Sequence, residues 1–272
     1  GRIAGGKTGN NIYGSLHEGG FNDQSYQALG ARLALDFKPI EGMTITGVFS
    51  PNLRHDKGKN FRKQVPYYNS DDPTLFEGYL QWNTTTRLAE SRTEGQRYTT
   101  QFLASYLKDV GRHSFNFLAG YENYYSRTEN LNASRDQYTL ISFPYLDQGP
   151  LEFRDNGGNA YENAYRSVFG RILYDFDDKY FIQANIRRDG SSRFHRDYRW
   201  GSFPSVSAGW VLSNEAFLQD SKTISFLKLR ASWGNLGNER IGNYPYQATI
   251  AFSNALFYRG SDIVSELTAA QW

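Results

Sequence analysis

Apolar and polar residues alternate with a period of two in four segments that together cover residues 167–234. In the first of these segments, Ile172 and Tyr174 occupy one set of alternate positions, and Arg171 and Asp175 occupy the other. A period of two predicts β-strands with one apolar face and one polar face. Because a dry core would not accept unpaired charges, the polar face is expected to meet water. The pattern is typical of a membrane barrel wall, with lipid on one side and water on the other.

The same alternation, followed along the whole chain, predicts an all-β fold of about eight antiparallel strands. The expected strands are 28–37, 43–50, 98–107, 113–125, 162–176, 179–188, 200–212 and 226–235. Segments without alternation are expected to be irregular or to form long loops, and they cover 1–27, 51–97, 128–160 and 235–270. The connection between the strands 200–212 and 226–235 is expected to contain a short helix around 215–218. Long loops alternate with tight turns such as Asp177-Asp178, as in outer-membrane barrels, so we assign the turns to the periplasm and the loops to the outside.

The composition favours this class over an ordinary soluble domain. The chain has 16% aromatic residues, 26 glycines and one methionine in 272 residues, which suits aromatic girdles and strand glycines. Mean hydropathy is −0.64, and no run of ~18 apolar residues could form a spanning helix. The net charge is +2, and acidic and basic residues are interspersed, so no basic face for nucleic acid is expected. Cysteine is absent, which excludes disulfide bonds and cysteine-based metal sites. A barrel protein must be exported, yet no signal peptide opens the chain, so we expect that Gly1 is not the natural start.

Three runs between residues 187 and 244 carry a family resemblance: RRDGSSRF at 187–194, RWGSFPSVSAGW at 199–210 and LKLRASWGNLGN at 227–238, followed by IGNY. Their order and spacing resemble the SusC/RagA family of TonB-dependent outer-membrane transporters. The resemblance is strong over 165–245 and looser over 28–125.

This resemblance implies a barrel of roughly 22 strands with a plugged lumen, of which the chain supplies wall and outer loops. It also implies a SusD-like surface lipoprotein as a lid and energy delivered by the TonB complex through the plug. The implied substrates are oligosaccharides or peptides, taken up across the outer membrane of a Gram-negative bacterium. No plug domain or TonB box is visible in the sequence, so energy coupling is implied for a parent protein only.

Candidate binding residues lie mainly in the expected outer loops. Aromatic rings with a polar tip suit the flat C–H faces and hydroxyls of sugars, although packing or membrane-girdle roles explain the same tyrosines. The substrate-binding candidates are Tyr68, Tyr125, Arg193, Trp200, Asn238 and Tyr244. The residues expected to face the lumen, for plug contact or pore lining, are Arg171, Asp175, Gln183, Asn185, Lys228 and Arg230. Where a strand becomes a loop, at 187–193, the arginines are expected to form ion pairs that fix the loop rather than to bind ligand.

No residue pattern points to catalysis, a metal or a cofactor, so we predict a protein that is not an enzyme. The four histidines are scattered, without the spacing of metal ligands. No carboxylate pair is marked by its local setting. The glycine run at 234–238 lacks the Gly-Lys-Ser/Thr ending of a phosphate loop.

Two alternatives fit the alternation. A soluble β-sandwich that binds carbohydrate would press its two apolar faces together in a dry core. A stand-alone eight-stranded structural barrel would pair its first strand with its last.

Overall fold

The structure is a computed structural model, and it describes residues 12–69, 71–81, 84–219, 221, 223–247, 251–259 and 262–271. Nearly all regular structure is β. One short helix, α1, covers Ile12–Glu18, and none of the described helices is long and apolar enough to cross a membrane. The strands are β1 Gly20–Gly30, β2 Leu33–Phe37, β3 Met43–Arg62, β4 Pro66–Tyr68, β5 Phe76–Tyr79, β6 Arg87–Val110, β7 His113–Asp136, β8 Arg154–Phe176, β9 Tyr180–Ser191, β10 Trp200–Val211, β11 Lys228–Gly234, β12 Ala251–Arg259 and β13 Asp262–Gln271.

The large sheet has the order β1-β3-β6-β7-β8-β9-β10-β11, and β2 pairs with β3. The pairs β1–β3, β8–β9, β9–β10 and β10–β11 are antiparallel, so the predicted antiparallel all-β wall is confirmed. In the described part of the chain, β1 and β11 lie at opposite ends of this order and do not pair. The alternative of a closed eight-stranded barrel is therefore wrong.

Several strands run much further than the alternation predicted. β3 continues to Arg62, β6 starts at Arg87, β7 continues to Asp136 and β8 starts at Arg154, all within segments expected to be loops. The ladder of β1 on β3 runs without a break from Gly20↔Arg62 to Gly30↔Asn52. Backbone groups pair whatever the side chains are, and a strand that carries mostly polar side chains shows little apolar contrast in its sequence. The expectation of irregular chain over 1–27 and of loops over 51–97 and 128–160 is therefore wrong where β1, β3, β6, β7 and β8 extend into these segments.

Three smaller differences concern chain breaks and turns. The expected strand 28–37 is interrupted after Gly30, where the Ala31 amide donates to the Pro51 carbonyl at 3.0 Å. The expected loop 235–270 contains the β12–β13 hairpin. The expected helix around 215–218 is instead a 3₁₀ turn at Leu212–Asn214 followed by hydrogen-bonded turns. These connections depend on local turn hydrogen bonds, which the alternation of side chains does not report.

The predicted tight turn at Asp177-Asp178 is present. Both residues have positive φ, 58° and 53°, as a two-residue hairpin turn requires. The Asp178 amide donates to Asp175 Oδ1 at 2.9 Å, which fixes the turn.

The chain divides into two compact units. The first contains Phe49–Thr99 and Tyr125–Glu162 together with the described residues up to Leu33. A small core cluster in this unit contains Phe61, Leu88 and Tyr138, all buried, with Leu146 packed against them. The Tyr138 hydroxyl donates to the Tyr145 carbonyl at 3.1 Å, and burial raises its pKa.

The second unit contains Ala34–Val48, Thr100–Tyr124 and the described residues from Asn163 onwards. Its strand register places the two sets of alternate residues on opposite faces. One row across β8–β11 reads Arg171, Asn185, Ser205 and Gly234, and it lies on the polar face. A row on the other face reads Ile172, Ala184, Val206 and Trp233.

The apolar face of the second unit is uncovered. Ile182 is 50% exposed, Leu229 57% and Trp233 61%. A β-sandwich buries such residues between two sheets. The sandwich alternative is therefore wrong.

Candidate functional site

All six residues expected to face a lumen lie on the polar face of the second unit. Asp175, Gln183, Lys228 and Arg230 line one cleft of about 400 Å³. The Lys228 ammonium lies 4.0 Å from the centre of the Phe181 ring in this cleft. Further along the same face, Asn185 Nδ2 donates to Ser205 Oγ at 3.2 Å, and Arg171 Nε is buried without a hydrogen-bond partner.

Arg187 is the centre of an ion-pair network on the same face. Its Nε donates to Asp189 Oδ1 at 2.7 Å, and its Nη2 donates to Ser167 Oγ at 2.8 Å and to Glu122 Oε1 at 3.2 Å. Ser167 is completely buried. The fork of the guanidinium matches several acceptors at once, and here it joins β7, β8 and β9. This geometry agrees with ion pairing rather than with a free ligand-binding group.

A second cavity, of about 410 Å³, lies where β8, β9 and β10 meet two loops; we call it the Arg199 cavity. Its residues come from strand ends and from the loops that follow β9 and β11. They are Tyr165, Ser167, Arg187, Asp189, Ser191, Phe194, Tyr198, Arg199, Trp200, Gly201, Phe203, Gly237, Asn238 and Glu239.

The loop after β11 closes this cavity because it packs directly on β10. The Asn235 amide donates to the Pro204 carbonyl at 3.0 Å. Gly237 comes so close to Phe203 that a Cβ atom at this position would lie 2.3 Å from Cζ of the ring. Arg193 Nη1 donates to the Ile241 carbonyl, which ties the loop after β9 to the loop after β11.

Of the six substrate-binding candidates, Trp200 and Asn238 line the Arg199 cavity. The Trp200 ring covers Gly190, its partner in β9, and lies 5.6 Å from the Arg188 guanidinium, on the face opposite to Phe203. Asn238 Oδ1 accepts a hydrogen bond from the Arg240 amide at 2.9 Å.

The other candidates do not line this cavity. Arg193 holds the two loops together, and Tyr244, with φ of 51°, packs edge-on against Tyr246. Tyr68 and Tyr125 belong to the first unit. Tyr68 packs edge-on against Phe76, and the Tyr125 hydroxyl donates to Glu162 Oε2 at 2.8 Å, which raises the pKa of Tyr125.

Sequence reasoning did not single out several residues that the structure brings together. Arg199 and Phe203 belong to the run at 199–210, so the family resemblance could have drawn attention to them. Glu122 stands at a polar position of the strand 113–125. Only the fold, however, places it against Arg187, 65 residues along the chain.

A second polar cluster lies at the opposite ends of β9 and β10. Glu215 Oε1 accepts hydrogen bonds from the Tyr180 hydroxyl at 2.5 Å and from Trp210 Nε1 at 3.0 Å. Lys179 Nζ lies 3.7 Å from Glu215 Oε2. The hydrogen bond from Tyr180 is the largest cause that lowers the pKa of Glu215. This cluster fixes the polar tips of two aromatic rings that stand on the apolar face.

No group of three or more metal-ligating side chains occurs among the described residues.

Comparison with known proteins identifies relatives of part of the chain, although no family model matches it. TonB-dependent receptor P39 of Formosa agariphila is 37% identical over 152 residues, which are 55% of this chain and 14% of that protein. TonB-dependent receptor SusC of Bacteroides thetaiotaomicron is 34% identical over 138 residues, 51% of this chain and 13% of that protein.

The fold is shared with a solved structure of the RagAB peptide transporter. The TM-score is 0.78 at 22% identity, over 99% of this chain and 28% of that chain. The matched part of this chain corresponds to 13–14% of the two receptors. Together with the runs at 187–244, these relatives confirm the resemblance of the chain to SusC/RagA-type TonB-dependent transporters, of which it matches a small part.

Proposed function

We propose that the chain forms part of the barrel wall and the outer loops of a TonB-dependent importer in the outer membrane of a Gram-negative bacterium. The imported solutes would be oligosaccharides or peptides. The names of the relatives support this function, since two are TonB-dependent receptors and the third is a peptide transporter. The wall itself would carry out no reaction and bind no cofactor.

The observation that carries the proposal is the separation of the two faces of the second unit. The exposed apolar face suits hydrocarbon, and the polar face, with Arg171, Lys228 and Arg230, suits an aqueous or plugged lumen. The alternating apolar positions of β9 run from Tyr180 to Ile186. At about 3.3 Å per residue the six steps of this stretch cover about 20 Å, which a tilt of about 40° reduces to about 15 Å across the bilayer, so these positions span the middle of the apolar band of about 25 Å.

Aromatic residues at both ends of the apolar band support the same placement. Tyr180 and Trp210 are held by Glu215 at one end, and Trp200 lies beside Arg188 at the other. Aromatic rings with a polar tip or a charged neighbour prefer the boundary between lipid and water. They would fix the depth of the wall in the bilayer.

The proposed partners follow from the relatives rather than from this chain alone. A SusD-like lipoprotein would cover the outer side, and the TonB complex would act through a plug domain of the parent protein. During the transport cycle the lid and plug would move, while the wall keeps its backbone hydrogen bonds because lipid offers no replacement for them.

Spin labels on two neighbouring residues test the placement in the full-length protein. The chain has no cysteine, so Ile182→Cys and Gln183→Cys add unique attachment sites once any cysteine elsewhere in the parent is removed. We expect the label at 182, on the apolar face, to collide with oxygen dissolved in lipid, and the label at 183 to collide with a water-soluble nickel chelate. Equal accessibility at the two sites, measured by power-saturation electron paramagnetic resonance, would contradict the proposal.

A further inference from the structure

Among the described residues that line its cavity, Arg199 is a cation that the ion-pair network leaves without a partner. Its Nε is buried and has no hydrogen-bond partner, and no described carboxylate lies within ion-pair distance of its guanidinium. A partly buried guanidinium without acceptors loses solvation and gains nothing in return. Such a group is suited to receive an anion that enters the cavity.

The neighbouring arginines are already occupied. Arg187 donates to Asp189, Ser167 and Glu122. Arg193 Nη1 donates to the Ile241 carbonyl; its Nε is also buried without a partner, but Arg193 does not line the cavity. Asp189 lines the cavity but is engaged by Arg187. Arg199 is therefore the cation of this cavity that remains available.

The walls of the cavity add an apolar surface to this charge. Phe194, Tyr198 and Phe203 contribute aromatic rings, and Phe203 is held between Gly201 and Gly237. The volume of about 410 Å³ lies in the range of small-ligand pockets and is large enough for one sugar ring or one amino-acid side chain. An arginine fork beside aromatic rings suits a carboxylate carried on a compact organic group.

We propose that the Arg199 cavity binds a carboxylate group of the imported solute. This inference rests on the proposed function, since it requires that the polar face meets the solute. Two sources share the chemistry: a uronic-acid sugar of an oligosaccharide and an acidic side chain of a peptide. In either case Arg199 accepts the charge and the aromatic rings contact the carbon skeleton.

Equilibrium binding to the full-length protein in detergent tests the proposal with two matched pairs of probes. Trigalacturonate is compared with neutral galactotriose, and triglutamate with triglutamine. We expect at least one acidic probe to bind about tenfold more tightly than its neutral partner, and Arg199→Gln to remove that preference. Which pair shows the preference identifies the sugar or the peptide as the source.

Two further variants keep the result interpretable. Arg196→Gln is the matched control, because Arg196 lies in the same loop with its side chain 84% exposed, and we expect it to leave the preference unchanged. Tyr198→Ala removes a cavity ring from a residue that is 82% exposed, so it should fold normally and weaken the acidic probe severalfold.

Equal binding of acidic and neutral probes by the wild type, or an unchanged preference in Arg199→Gln, would overturn the carboxylate site. If Arg199→Gln does not assemble, an unchanged affinity of Tyr198→Ala for the preferred acidic probe overturns it instead. The spin labels at positions 182 and 183 test the barrel wall separately. If the binding experiment contradicts the carboxylate site while both labels are in their expected surroundings, only the carboxylate site is rejected and the proposed function is retained.

Discussion

At the scale of single residues, three arginines of one sequence region have three different surroundings. Arg187 is held by two carboxylates and a hydroxyl, Arg193 Nη1 by a backbone carbonyl, and the buried Nε of Arg199 has no acceptor. Their side chains are chemically identical, so the difference comes from what each strand and loop places nearby. A guanidinium is a structural group when its acceptors are already present and a binding group when they are missing.

Arg187→Leu tests the structural role. Removing the guanidinium leaves the completely buried Ser167 without its side-chain donor and takes one donor each from Glu122 and Asp189, so we expect the folded full-length protein to lose about 1–3 kcal/mol of stability. The measurement is the urea midpoint of unfolding in detergent.

Arg188→Leu is the control for this variant, because Arg188 stands on the opposite face, where its guanidinium lies 5.6 Å from the Trp200 ring. A contact of this kind contributes less than about 1 kcal/mol at an exposed site. If both leucine variants lose the same stability, the network around Arg187 is not what stabilises this face.

At the scale of elements, the loop after β11 is held to β10 by close packing rather than by a strand pairing. Phe203 lies between Gly201 and Gly237, where added Cβ atoms would come within 2.7 Å and 2.3 Å of its ring. The ring therefore has little room to move away from a side chain at either glycine. The shape of the Arg199 cavity depends on this contact.

Gly237→Ala should release the loop. The new methyl group would overlap the Phe203 ring, at a cost of about 1–3 kcal/mol, so we expect the loop to open more often. Trypsin cleavage after Arg240, followed by mass spectrometry, should become about tenfold faster.

The chain supplies a matched control for this change in the same loop. Gly242 has no atom within 4 Å of the Cβ position, so Gly242→Ala should leave the cleavage rate after Arg240 unchanged. An equal increase in both variants would show that loop entropy, rather than the contact with Phe203, sets the rate.

At the scale of the whole molecule, the decisive property is which solvent each face of the sheet meets. Large apolar residues that would form the core of a soluble protein are exposed along β8–β11, while the described buried core is confined to a few residues. In water such a surface would drive association, whereas in a bilayer it is the stable arrangement.

Leu229→Arg and Arg230→Leu test this at neighbouring positions of β11. Leu229 is on the apolar face, paired with Trp210, and an arginine near the bilayer midplane costs about 2–4 kcal/mol, so we expect impaired assembly of the full-length protein. Arg230, on the polar face, should accept leucine and assemble nearly normally. The amount of heat-modifiable protein in outer-membrane fractions measures assembly, and equal tolerance at the two positions would contradict the assignment of faces.

The sequence by itself determined the antiparallel strands of the second unit and the two faces they carry. Side chains of a strand alternate between its two faces, so an alternation of apolar and polar residues predicts both faces without knowledge of the strands that pair with it. The turn at Asp177-Asp178 was predictable for the same reason, because its conformation is set within a few residues.

The tertiary structure alone decided the length of β3, β6, β7 and β8, the position of the loop after β11 and the partners of each arginine. The extended parts of these strands carry mostly polar side chains and are held by backbone pairing, which leaves no mark in the side-chain pattern. Glu122 meets Arg187, and Gly237 meets Phe203, only because the register of neighbouring strands brings distant parts of the chain together. Such contacts depend on distances in space that the order of residues does not contain.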